Sequence, residues 1–221
     1  RLQEEVDIVN QIEDLRKKKF PLNEVAVIYA KHKQARNLIE LLEKKGIPYN
    51  TRRKVNILDL PLIQNLRMLL EYLQSEYTKP YSGEHLIFKI LHFDFLKIHS
   101  SDLAKLAVHL ARYDYTKRPT WREAIGDVVM LKKLKLKDAK AIADFSITIE
   151  YLLSNFASIS VISTLERLIN RSGLLRNLLQ SEDKIWLIQV LNTFVDFIKK
   201  ETNRNPRLTL ARLLEILKNM D

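Results

Sequence analysis

The sequence predicts a predominantly α-helical protein with a small α/β beginning. Three observations carry that prediction. Four glycines and six prolines punctuate 221 residues, so breakers are few, while Leu, Lys, Glu and Ile, which lose little in a helix, are abundant. Past Asp59 apolar residues recur at helical spacing in one segment after another. Only two short apolar runs, Val25-Ala26-Val27-Ile28-Tyr29 and Ile47-Pro48-Tyr49, have the character of strands.

The elements follow in order. Residues 2–18 form a helix on Val6, Ile8, Val9, Ile12 and Leu15. Arg16-Lys17-Lys18-Lys19 closes it, where cations suit the negative end of the helix dipole, and Pro21 ends it. Val25–Tyr29 reads as a buried strand of a parallel sheet, because it is apolar throughout. Residues 33–45 form a helix with Leu38, Leu41 and Leu42 on its inner stripe and Gly46 as its C-terminal cap. Ile47-Pro48-Tyr49 completes a strand–helix–strand unit. Helices are then expected over 60–75, 85–91, 101–113, 121–132, 137–154, 160–172, 184–201 and 209–220. Ser101 and Asp102 suit the cap of the third, and Thr120 the cap of the helix that holds Trp121. The polar stretch Asp114-Tyr115-Thr116-Lys117-Arg118-Pro119 marks a boundary, giving domains over 1–116 and 117–221.

Composition limits function. At 46% hydrophobic and 29% charged residues, the chain folds rather than staying disordered. Its net charge of +10 suits a polyanion such as nucleic acid, although solvated lysine-rich helix faces produce the same sum. With no cysteine there is neither a disulfide nor a thiolate metal site, which fits the cytoplasm. No apolar run approaches the roughly 20 residues of a membrane span, so no membrane partner is expected. No signal peptide is visible. The chain opens at Arg1 in the middle of a charged helical pattern, as a piece of a longer protein would.

The segment Glu24–Tyr29 through Gln34-Ala35-Arg36, then Leu41-Leu42 and Gly46-Ile47-Pro48-Tyr49, resembles a stretch of the UvrD/Rep/PcrA superfamily 1 DNA helicases. There a strand ending in a tyrosine opens the second RecA-like motor domain, followed by a Gln-x-Arg element, a helix and an Ile-Pro-Tyr strand. Later segments keep the family order: Leu60-Pro61-Leu62-Ile63-Gln64-Asn65-Leu66, Leu91-His92-Phe93-Asp94-Phe95, Pro119-Thr120-Trp121-Arg122-Glu123-Ala124 and Ile169-Asn170-Arg171-Ser172-Gly173-Leu174. The resemblance is specific from Glu24 to Tyr49 and looser beyond. It implies an ATP-dependent DNA helicase with ATP between two motor domains and DNA across them. Residues 1–116 would be the lead-in helix and an incomplete RecA-like segment, and 117–221 the inserted all-helical accessory domain, which contacts DNA or regulates unwinding.

The resemblance also implies roles. Tyr29 matches a tyrosine that stacks near the adenine. Where the family carries an arginine that reaches the γ-phosphate, this chain has Ala30. Three explanations stand open: Lys31 or Lys33 supplies the charge, other arginines do, or the site is degenerate. Arg36 matches the arginine of Gln-x-Arg, with an ion-pair role as its simpler reading. The phosphate loop needs glycines flanking a Lys-Ser or Lys-Thr, and Gly46, Gly83, Gly126 and Gly173 stand in no such motif. No Asp-Glu pair follows a strand to hold magnesium. ATP and magnesium therefore belong to the whole motor, and this chain alone is expected to bind neither and to hydrolyse nothing.

Three basic groups are candidates for DNA: Arg52, Arg53 and Lys54 after the Ile-Pro-Tyr run; Arg112, Lys117, Arg118 and Arg122 near the domain boundary; and Lys132, Lys133 and Lys135, with Lys137 and Lys140 nearby. Phosphate contacts need only positioned cations, and any one cluster reads equally as a solvated face. The family's Gly-Ile-Gly turn has no counterpart near Phe95-Leu96-Lys97-Ile98. His85, His92 and His99 recur every seven residues, too far apart along a helix to share one metal. Trp121 and Trp186 read as core anchors. The partners expected are single-stranded or junction DNA and the remainder of the helicase. The rivals are a helicase–nuclease of DNA repair and a non-enzymatic helical module that binds RNA or protein.

Overall fold

The first helix described has its last turn fixed by its own basic tail. In the computed structural model, which describes residues 2–29, 32–50 and 56–220 without the side chains at 2–3, 32–36 and 115, helix α1 spans Leu2–Lys17. Lys19 takes a left-handed conformation (φ 59°) just past it. The Phe20 amide then reaches back to the Leu15 carbonyl at 3.0 Å, which supplies partners for carbonyls the helix leaves open. A short 3-10 turn, Leu22–Glu24, leads to extended chain, and α2 spans His32–Lys44. At its end Gly46 has φ 60°. The Ile47 amide donates to Leu42 O at 3.0 Å and the Gly46 amide to Glu43 O at 3.0 Å, so Gly46 is the cap its sequence position predicts. Val9, Ile12, Leu38, Leu42 and Ile47 enclose a small core between α1 and α2, with Val25 and Val27 packed on its edge. Lys45 and Glu13 pair across it at 3.1 Å.

The two expected strands are not formed among the described residues. Val25 is extended (φ −90°, ψ 126°), and exposure alternates along Val25–Tyr29 with period two, as in a strand with one covered face. Among the described residues no neighbouring segment supplies ladder bonds, however, and Ile28 is 96% exposed. Strand identity needs a partner as well as a backbone conformation. The α/β beginning is therefore, in the described residues, two helices joined by extended segments.

The chain divides into two compact units, 1–55 and 56–221. The second is wholly helical. Helix α3 (Pro61–Thr78) runs through its centre: Ile63, Leu66, Leu69, Leu70, Tyr72 and Leu73 have no exposed surface, each apolar side chain contributing about 2 kcal/mol. Around it pack α4 (Glu84–Ile90), α8 (Ala139–Ser154), α11 (Lys184–Arg204) and α12 (Leu210–Lys218). Helices α5 (Ser100–Leu110), α6 (Trp121–Gly126), α7 (Val128–Lys133), α9 (Val161–Arg171) and α10 (Leu174–Gln180) complete it. One continuous core joins residues on both sides of position 116, so the compact unit does not divide where the polar stretch 114–119 suggests. Among the described residues no helix is long and apolar enough to cross a membrane.

Local expectations fare unevenly. Thr120 does cap α6, in a capping box: it accepts from the Glu123 amide at 3.2 Å while Glu123 accepts from the Thr120 amide at 2.7 Å. Ser101 and Asp102 do not cap α5, which starts one residue earlier, with His99 at the cap. The helix expected over 121–132 breaks after Gly126, because the Asp127 side chain accepts the Met130 amide and starts α7. Trp121 is buried, but Trp186 is 45% exposed beside Ile185 at 71%, so Trp186 is not a core anchor.

Candidate nucleic-acid interface

The charge is concentrated. Residues 101–140 hold ten Lys or Arg and five Asp or Glu, which is half of the chain's net +10. The same segment contains α5, α6, α7 and the loop 134–138. Lys105, His109 and Arg112 stand four and three residues apart, a spacing that puts them on one face of α5 and its continuation. With Ser101, Ala104, Val108 and Leu134 they line a shallow groove of about 470 Å³.

A buried carboxylate sets the groove's second wall. Asp102 has no exposed side-chain surface and accepts the Asp138 amide at 2.8 Å. Asp138 in turn accepts the His99 amide at 2.8 Å and the His99 ring Nδ1–H at 2.7 Å. The His99 amide, then its ring, hold the Asp138 carboxyl below the ordinary carboxylate range. This relay ties the loop after α7 to the start of α5. Leu134 is thereby held in the groove wall, and the exposed cations Lys132, Lys133 and Lys135 flank it along the chain. Lys135 holds a left-handed backbone (φ 47°). His109 meets the Tyr113 ring edge-on at 5.6 Å, and Tyr113 is 41% exposed. Cations beside an exposed aromatic ring can contact phosphates and stack on a base.

The expected DNA contacts separate into three groups. Arg112, Lys117, Arg118, Lys132, Lys133 and Lys135 are exposed and form no ion pair among the described residues. Arg122 differs. Its Nε and Nη2 donate to the two Glu150 oxygens at 2.7 Å each, and its Nη1 donates to Glu76 at 2.7 Å. The Glu150 hydrogen bond foremost raises its pKa. Arg122 is thus an internal link, with 17% of its side chain exposed, and its donors face carboxylates rather than solvent. Arg52, Arg53 and Lys54 lie outside the described residues. Sequence reasoning missed Lys105 and His109, although their helical spacing from Arg112 was legible.

For the nucleotide, Tyr29 is half-buried at the end of the extended segment. Lys31 lies outside the described residues, and so do the side chains of Lys33 and Arg36, whose backbone belongs to α2. Tyr29 alone does not make an ATP site, and no step through ATP follows from it. The histidines have separate engagements: His92 Nδ1 lies 2.8 Å from the Phe88 carbonyl, His99 holds Asp138, and His109 meets Tyr113. No protein-family model matches the chain, and no curated protein matches it either.

Proposed function

We propose that this chain is a helical DNA-handling part of a UvrD/Rep-type ATP-dependent DNA helicase, and that the groove between α5 and the loop after α7 is its DNA-contacting surface. The observation that carries the reading is the grouping of exposed cations there: among the described residues Lys132, Lys133, Lys135 and Arg112 form no ion pair, and they stand around a groove whose wall is fixed by the Asp102–Asp138–His99 relay. Cations without acidic neighbours are what phosphate neutralisation requires. The extended Val25–Tyr29 run with its bare Ile28 supports the motor-domain part of the reading, because it has the form of a strand awaiting neighbours. Tyr29 is the proposed adenine contact, with Lys31, Lys33 and Arg36 as the proposed cations of the ATP cleft in the whole motor.

The test is fluorescence anisotropy with single-stranded, duplex and forked DNA over a salt series. The chain should bind with a steep salt dependence. Arg112→Glu combined with Lys132→Glu and Lys133→Glu should weaken binding at least tenfold and flatten the salt slope by about three. Binding that the triple variant leaves unchanged would remove the groove from the interface. A preference for RNA, or no binding at low salt, would favour the non-enzymatic module instead.

A further inference from the structure

Two arginines on α9 share one tyrosine of α8. Arg167 Nη1 donates to the Tyr151 hydroxyl at 2.8 Å. Arg171, four residues on, lies over the ring of Tyr151 with its guanidinium carbon 3.9 Å from the centroid. The Arg167 guanidinium carbon is 5.6 Å from the same centroid. One side chain therefore holds two positive charges close together, although like charges at this helical spacing repel.

A further stacked arginine shows what is absent here. Arg122 lies 5.5 Å over the Tyr81 ring, and Glu76 and Glu150 neutralise it. Arg204 and Arg212 each pair with a glutamate three residues away. Arg167 and Arg171 form no ion pair among the described residues, and Glu150, next to Tyr151 in sequence, is engaged by Arg122. A guanidinium carries five donors. Of the pair's donors, the single one engaged within the described protein is the Arg167 Nη1–H on the tyrosine hydroxyl. Stacking and that hydrogen bond restrict both side chains before any ligand arrives, which lowers the ordering cost of binding. Planar, oriented guanidiniums with open donors match the oxygens of a phosphate group.

We infer that Arg167 and Arg171, held by Tyr151, form a phosphate-binding site separate from the α5 groove. In taking that phosphate to be a phosphodiester of bound DNA, the inference rests on the function proposed above. The site itself does not.

Two arms test it on the whole 221-residue chain. In the first, inorganic phosphate is titrated against the arginine Nε–Hε resonances at constant ionic strength, with chloride as the control. Arg167 and Arg171 should move with phosphate and not with chloride, and Arg171→Ala should abolish the Arg167 response. Equal responses to both salts, or none to phosphate, would overturn the site. In the second arm, the Arg167→Ala/Arg171→Ala double variant is compared with the parent for oligonucleotide binding. Affinity should fall about tenfold and the salt slope should flatten by about one. If phosphate moves both arginines but the double variant binds DNA unchanged, the site takes free phosphate and the DNA assignment is overturned. If the parent binds no DNA at all, the groove reading fails, and the first arm alone judges the site.

Discussion

Arg122 donates to Glu76 at 2.7 Å, and the Glu76 side chain is wholly enclosed. Glu76 also accepts the amides of Tyr81 at 3.0 Å and Gly83 at 2.8 Å. One buried carboxylate thus holds the turn between α3 and α4 and joins it to the first turn of α6. Among the described residues the charge opposite it comes from Arg122 alone.

Removing that charge should be costly. Arg122→Ala leaves the enclosed Glu76 carboxyl without its cation, and should cost about 3 kcal/mol. Glu150→Ala removes the arginine's other partner, which is 52% exposed, and should cost less than about 1 kcal/mol. Urea denaturation of the two variants separates them. Equal losses would mean that Arg122 does not serve chiefly to neutralise Glu76.

The same turn leaves no room for a side chain at Gly83. A Cβ there would stand 2.6 Å from Cδ2 of the Tyr72 ring and 3.0 Å from Glu76 Oε1. Tyr72 has no exposed surface and cannot swing away. Gly83→Ala should therefore destabilise by about 1–3 kcal/mol, the usual range for overpacking. Gly46→Ala meets no neighbour and should cost less, through its left-handed backbone alone. Thermal melts of both variants check the order.

Stability should fall with rising pH through Glu84. Burial raises its carboxyl above the ordinary value of 4.5, against the pull of the Trp121 and Arg122 amides. The folded state thus holds the proton more tightly than the unfolded chain. Between 4.5 and the raised folded value the folded state binds more protons, so stability declines as pH rises and stays lower above that window. Glu84→Gln cannot titrate and keeps an oxygen to accept the Trp121 amide. Its stability relative to the parent should increase from about pH 4 to about pH 8. A difference that stays flat across that range would show that Glu84 does not titrate differently on folding.

Helix type and approximate position could be read from the sequence because apolar spacing and caps are local. Gly46 and Thr120 announced their roles through immediate neighbours. What could not be read is what depends on distant chain. The apolar run Val25–Tyr29 gives an extended backbone, but a ladder requires a second segment. Arg122 looked like a surface cation beside Lys117 and Arg118 because Glu76 stands 46 residues away. Trp186 looked like core because Leu187, Leu191 and Phe194 share its helix, and only the fold decides which side of α11 is covered. Gly173, with φ 84°, starts α10, a short helix for which the sequence reading has no element.

Asp102 should control the loop that carries the basic cluster. Its Oδ2 accepts the Asp138 amide at 2.8 Å. Its Oδ1 is buried without a hydrogen bond, with Lys105 Nζ at 3.6 Å as its nearest cation. Asp102→Ala removes the acceptor and leaves the Asp138 amide unpaired, a loss of about 1–3 kcal/mol. The local consequence matters more than the global one. The amides of 134–138 should exchange hydrogen faster than in the parent, while those of α3 keep their order of protection. If the groove binds DNA through cations held in place, affinity should also fall in this variant, with every basic side chain intact and a net charge one unit more positive. A gain in affinity would show that charge alone governs binding. A loss would show that the position of the Lys132–Lys135 segment does.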